Sequence, residues 1–303
     1  MITIGIDNGN FNTKSSDGVL YPSGFTASTQ PQIGDSDYVE LEGVYYALGA
    51  VRAPVQYDKT RNDDAWILTL AMLAAALRRR NTDEGSFRIG VGLPLMAYAA
   101  QRENMREYFL RRGGARCGYC GTQYEIRIGD CGVYPQGYAA FLTQYSDLAP
   151  YASVTHVDIG GYTIDIFRTQ DGKPVPGSMM SVPLGTVTML RTIQAELSRS
   201  DILLAETQII TAMRGGIVDH MRIDEAMRAI DMGRERYVQD LCNTLREYQI
   251  DLESPINLIG GGAALLEDAL RERMHVVGVA DLYANALGYK LWICLLYTSD
   301  AAD

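Results

Sequence analysis

The chain opens on Ile2-Thr3-Ile4-Gly5-Ile6-Asp7, an apolar, β-branched run that gives way at once to the turn-forming Asn8-Gly9-Asn10. Such a run bounded by Asn-Gly predicts a strand entering a hairpin. A Gly-, Ser- and Pro-bearing stretch then extends to about Asp64, with one strand predicted inside it at Val44 to Leu48. From Ala65 to Arg80 the apolar positions take helical spacing. Trp66, Leu70, Leu73 and Leu77 share a face, and three arginines suit the carboxyl end of the helix dipole. Phe87 to Leu93 reads as a strand stopped by Pro94, and Ala97 to Arg112 as a helix. Tyr124 to Ile128 reads as a strand closed by a Gly-Val-Tyr-Pro turn, and Gln136 to Leu148 as a helix. Ala149-Pro150 marks a boundary, because proline disfavours helix in the residue before it.

The second half restarts in the same way. Val154 to Ile159 is a predicted strand, Gly160-Gly161 a turn, and Thr163 to Phe167 the returning strand. Gly185 to Arg199 and Asp219 to Tyr248 are helical by pattern, and Pro255 to Ile259 is a strand that meets Gly260-Gly261-Gly262 before another helix. Alternation of this kind predicts an α/β fold. Domains are expected at 1–150 and 151–280, with a closing helix over 281–292.

Composition narrows the classes. A length of 303 residues with 47% hydrophobic content suits about two globular domains. A formal net charge of −10 opposes direct binding of nucleic acid or of an anionic membrane, both of which reward basic clusters. No run approaches the roughly 20 apolar residues that span a bilayer. The amino end lacks the basic and long apolar regions of a signal peptide, so a cytoplasmic location is expected. Cys117 and Cys120 form a CxxC, but a structural zinc needs two more ligands, and the three histidines, His156, His220 and His275, are scattered. The favoured reading of CGYC is a glycine-rich hairpin turn.

Three glycine turns carry the candidate chemistry. A phosphate needs backbone N–H groups aimed at it with no side chain in the way. Asp7-Asn8-Gly9-Asn10-Phe11-Asn12-Thr13-Lys14 joins such a turn to an aspartate that could orient hydrated Mg²⁺ and a lysine that could neutralise phosphate. Asp158-Ile159-Gly160-Gly161-Tyr162-Thr163-Ile164-Asp165 repeats the arrangement, with Asp158 the second metal candidate and Asp165 read as structural. Gly260-Gly261-Gly262 allows a base or phosphate to approach bare backbone. Neither a GxGxxG fingerprint nor a GxxxxGK[ST] loop is present.

At these residues the chain resembles the actin, heat-shock ATPase and sugar-kinase superfamily, whose two phosphate motifs and adenosine motif look like DNGNFNTK, DIGGYTID and LIGGGAAL. Within it the likeness is to ParM-type actin-like proteins of plasmid segregation. It extends to Val91-Gly92-Leu93-Pro94-Leu95, to VPLGTVTML at Val182 to Leu190, and to Ala280 through Tyr289, which looks like that family's closing helix. The resemblance implies an actin-like (ribonuclease H-like) two-domain fold with an interdomain nucleotide cleft. ATP is the implied nucleotide, with GTP the alternative, and Mg²⁺ is held through water by Asp7 and Asp158. Nucleotide contacts are implied for Asn8, Gly9, Asn10, Phe11, Asn12, Lys14, Gly160, Gly161, Tyr162, Thr163 and Gly260 to Gly262. Gln136 falls where relatives position the attacking water, and Asp158 joins it as a catalytic candidate. Glu225 lies in the helical region from which relatives contact ribose, but reads better as a solvated helix face.

The implied function is a filament-forming ATPase that segregates plasmid or other DNA through head-to-tail self-association and a DNA-binding adaptor protein. A nucleotide-regulated scaffold of the cell-division or pilus type and a small-molecule kinase of the same superfold are the alternatives. The final string CLLYTSDAAD resembles translated adapter sequence, so 293–303 is expected to be a non-native tail.

Overall fold

The apolar run at the amino end forms β1 (Ile2–Asn8), and the Asn-Gly turn folds it back as β2 (Asn12–Ser15). The chain continues through β3 (Leu20–Pro22), β4 (Phe25–Ser28), β5 (Tyr38–Leu41), β6 (Val44–Leu48) and α1 (Asp64–Arg79). Then come β7 (Glu84–Leu93), α2 (Leu95–Arg112), β8 (Gly114–Tyr119), β9 (Thr122–Pro135) and the short α3 (Tyr138–Leu142). This computed structural model describes residues 1–31, 36–49, 52 and 54–299. Among them these strands make one nine-stranded sheet in the order β3-β2-β1-β7-β9-β8-β5-β6-β4, with β1, β7 and β9 mutually parallel. α1 is buried continuously from Ala65 to Leu77, which accounts for its being apolar on every side.

A second unit spans Gln144–Leu282. It holds α4 (Tyr145–Leu148), β10 (Ser153–Ile159), β11 (Ile164–Gln170), β12 (Lys173–Pro174), β13 (Met180–Val182) and α5 (Thr186–Arg199). α6 (Glu206–Met213), α7 (Ile223–Glu247), β14 (Ile256–Ile259), α8 (Gly261–Arg271) and β15 (Val276–Val279) complete it. Its sheet runs β12-β11-β10-β14-β15, with β13 added against β11. The β10–β11 hairpin beside a parallel β14 repeats the local plan of the β1–β2 hairpin beside a parallel β7.

The chain then returns to the first unit as α9 (Ala284–Ser299). Glycines make the seat for this helix. A Cβ on Gly5 of β1 would lie 1.8 Å from the Ala286 carbonyl oxygen, and one on Gly288 of α9 would lie 1.9 Å from that of Ala139. Tyr289 and Ile293, four residues apart on one helix face, cover Gly90 of β7.

Several expectations need correction. The predicted helix over 136–148 is two short pieces, because the chain crosses between units at Thr143 and Gln144. β9 does not end at Ile128 but runs on to Pro135, since Gly129 and Gly132 are strand glycines whose space is filled by Met1 and Tyr134. The hairpin reading of CGYC needs no change: Cys117 is buried in β8 and Cys120 lies in the turn, its Sγ 3.1 Å from Asp37 Oδ1. Ile293, assigned to the tail, is buried with Tyr134, Ala139 and Tyr289, and the helix continues to Ser299. Residues 300–303 lie outside the described residues.

Candidate functional site

In the first unit the site is built on the end of β1. Antiparallel register sets Asp7 opposite Lys14, and Lys14 Nζ stands 3.1 Å from Asp7 Oδ2 with both side chains buried. The other carboxylate oxygen is taken by Gln136, whose Nε2 donates to Asp7 Oδ1 at 2.9 Å. Gln136 follows β9 rather than lying in a helix. Its N–H donates to the Leu93 carbonyl at 2.9 Å, and the next residue, Gly137, takes φ +72° and donates its N–H to Asn285 Oδ1 of α9 at 2.8 Å. Because its amide nitrogen is occupied by Asp7, the Gln136 side-chain oxygen is the atom left to accept a hydrogen bond.

The turn itself is held from its carbonyl side. Ser23 Oγ donates to the Gly9 carbonyl at 2.5 Å and lies 2.9 Å from Thr13 Oγ1, and the Ser23 N–H donates to the Phe11 carbonyl at 2.9 Å. Gly9 is required by crowding, since a Cβ there would come within 2.7 Å of the Asn12 carbonyl oxygen. Among the described residues no acceptor meets the N–H of Asn10 or Phe11. Adjacent free N–H donors in a turn can receive an anion. Beside them Asn8 Nδ2 donates to Thr69 Oγ1 of α1 at 3.3 Å, while Asn8 Oδ1 is buried with no hydrogen-bond partner among the described residues.

One residue of this region escaped the sequence reading. Lys59, from the loop before α1, is 8% exposed and lines the recess at the Asn8–Asn10 turn. Burial pushes its ammonium down to about 8, opposed by the Asp7 charge. Nothing local marks it, because a single lysine in a polar loop has the pattern of a solvated side chain.

In the second unit Asp158 and Asp165 face each other across β10 and β11. Desolvation pushes the Asp165 carboxyl up, against a hydrogen bond from Ser181. The turn between them is gripped by the start of α5. The Thr186 N–H donates to the Gly160 carbonyl at 2.9 Å and the Val187 N–H to the Gly161 carbonyl at 2.8 Å. The Gly160 N–H closes on the Thr163 carbonyl, which leaves the N–H groups of Gly161 and Thr163 without an acceptor among the described residues. Thr186 and Val187 therefore support the turn.

The triple glycine plays a divided role. A Cβ on Gly260, whose φ is +91°, would lie 2.5 Å from Asp158 Oδ1, and one on Gly262 would lie 2.4 Å from Ile159 Cγ2. These two glycines bring the start of α8 hard against the Asp158 turn. Only Gly261 has ordinary room, with its nearest neighbour at 3.4 Å. Glu225 sits in the first turn of α7 and is ion-paired to Arg222 at 2.7 Å. Among the described residues no three His, Cys, Asp or Glu side chains gather around a point where a metal ion could sit, and no helix is long and apolar enough to cross a membrane.

Two families divide the chain between them. The one described as actin like proteins N terminal domain matches residues 5–138, and the one described as archaeal actin homologue MreB-like, C-terminal, matches residues 156–272. The chain is an actin-like protein. Its fold agrees: the archaeal actin homologue Ta0583 superposes with a TM-score of 0.73 at 18% identity, covering 97% of this actin-like chain and 100% of that one. The structure of Bacillus thuringiensis ParM with ATP gives 0.71 at 15% identity over 98% and 99% of the two chains. The filament structure of AlfA from B. subtilis plasmid pLS32 gives 0.63 at 16% identity over 96% and 98%. No curated protein matches the chain in sequence.

Proposed function

We propose that this actin-like protein binds ATP with Mg²⁺, hydrolyses it, and assembles head to tail into filaments that segregate plasmid or other DNA through an adaptor. The observation that carries the reading is the Asp7–Lys14–Gln136 constellation beside a turn with two unsatisfied N–H donors. Support comes from ParM solved with ATP and from AlfA solved as a filament. The net charge of −10 favours reaching DNA through a second protein over direct contact.

In the first unit the turn donors and Lys14 are of the kind that phosphate requires, which supports this reading. Mg²⁺ keeps most of its waters and needs few protein carboxylates, so on this reading Asp7 and Asp158 would hold it through water, and when bound it would neutralise phosphate charge. The N–H groups of Asn10 and Phe11, and those of Gly161 and Thr163, supply donors for phosphate oxygens, and Gly261 leaves room at the start of α8 for the nucleoside side. Lys14 lies close enough to Asp7 to trade that partner for phosphate. Gln136, fixed by Asp7, orients a water through its Oε1. The water oxygen forms the new bond to the γ-phosphorus, the bond to the bridging oxygen breaks with its electron pair going to ADP, and phosphate leaves carrying both of the water's hydrogens. Because an amide orients water but accepts a proton poorly, turnover is slow.

The test is phosphate release and light scattering on wild type and Asp158→Ala, with ATP, GTP or ADP and with Mg²⁺ present or chelated. Wild type is expected to scatter with Mg-ATP and lose the signal as ADP accumulates, and Asp158→Ala to release no phosphate. Wild type that neither binds nucleotide nor assembles would end this reading.

A further inference from the structure

The recess beside the Asn8–Asn10 turn contains a second ammonium that the mechanism above does not use. Lys59 is more than nine-tenths buried there and shares the lining with Asn8, Gly9, Asn10 and Gln56. Among the described residues nothing accepts a hydrogen bond from it, and no carboxylate comes within ion-pair reach. Lys14 differs, being paired with Asp7. The carboxylate that also borders the recess, Asp64, is already held by the side-chain amides of Gln56 and Asn62. A buried charge with no counter-charge destabilises a fold, and the penalty is relieved when an anion from outside the chain arrives. The same recess is lined by Asn10, whose N–H meets no acceptor among the described residues, so the anion it suits is one with several acceptor oxygens.

We propose that Lys59 binds the terminal phosphate of a nucleoside triphosphate, and is the group by which the site tells triphosphate from diphosphate. The inference rests on the nucleotide reading above. Asp7, the anchor of Gln136, directly precedes Asn8, Gly9 and Asn10, which share the recess with Lys59 and so set its end of the site. If Gln136 positions the attacking water, the phosphorus under attack lies beside Asp7, and Lys59 is the uncompensated cation at that end. Lys14 stands at the same end but already has Asp7 as its counter-charge, and the turn backbone is left for the other phosphates. Lys59 is thus a specificity residue for the third phosphate.

Calorimetric titration of a non-hydrolysable ATP analogue and of ADP into wild type, Lys59→Met and Lys59→Arg tests this, below the concentration at which filaments form. Loss of a charged hydrogen bond to phosphate predicts about a ten- to hundredfold weaker analogue affinity for Lys59→Met. ADP affinity should change less than about threefold, and Lys59→Arg should keep most of the triphosphate preference. A residue placed for ligand rather than for the fold also predicts a higher Tm for ligand-free Lys59→Met than for wild type. Lys59→Gln replaces it in every comparison should the methionine variant not fold. An unchanged ratio of analogue to ADP affinity, or an equal loss of both, overturns the assignment of Lys59 while leaving the nucleotide site standing. Absence of nucleotide binding by wild type overturns both.

Discussion

Gln136 spends its amide nitrogen on Asp7, and that single bond separates two roles that one site must combine. Under the proposed function, binding would depend on the backbone donors of the turns, whereas the orientation of water would depend on the amide oxygen. Gln136→Ala should therefore lower the single-turnover hydrolysis rate about ten- to a hundredfold while nucleotide affinity stays within a few-fold, which paired rate and binding measurements would separate. Filaments of that variant should also persist longer. A second residue-scale prediction concerns His156, fully buried, stacked on Phe167 at 4.4 Å and bonded to Thr169 and Asn257. Burial pushes its imidazole down to about 3 from the ordinary 6.5. The folded chain therefore keeps it neutral while the unfolded chain takes a proton below 6.5. Its contribution to stability is flat above that pH and falls by up to about 1.4 kcal/mol per unit on acidification towards 3. Comparing Tm from pH 7 to 5 for wild type and His156→Gln should show a shallower slope in the variant. Equal slopes would mean that His156 can be protonated in place.

At the scale of elements, α9 meets β1 and α3 through glycines with no space for a methyl group. Gly5→Ala should overpack the seat and destabilise the first unit by about 1–3 kcal/mol, read as a lower midpoint in denaturant. Gly261→Ala, with ordinary room and a helical position, should leave stability nearly unchanged and act only on nucleotide affinity. What the sequence made legible follows from the same physics. The β1–β2 and β10–β11 hairpins, α1, α2, α5 and α7 were readable because their periodicity or turn residues are local. β8, the far end of β9 and the break between α3 and α4 were not, because Gly129 and Gly132 look like turn residues until Met1 and Tyr134 are folded over them. The glycine turns could be found from their own letters, as could Gln136 from the family pattern. Lys59 could not, since its burial is conferred by a recess that distant residues create.

For the whole molecule, the prediction concerns whether one nucleotide draws on both units. Under the proposed function, hydrogen exchange with a non-hydrolysable analogue, in dilute protein, should show protection rising together at residues 7–14, 158–165 and 260–262. Protection confined to one unit would remove the shared site and leave only that unit's turn as a binder. The return of α9 has a consequence of another kind, in the order of synthesis. The ribosome makes β1 well before α9, with the whole of Gln144–Leu282 between them, so α9 is not yet there to cover the strip of β1 and β7 around Gly5 and Gly90 while the second unit is translated. That second unit is contiguous and can close first. Maturation then runs opposite to translation, and the uncovered strip is the surface a nascent-chain chaperone would have to guard.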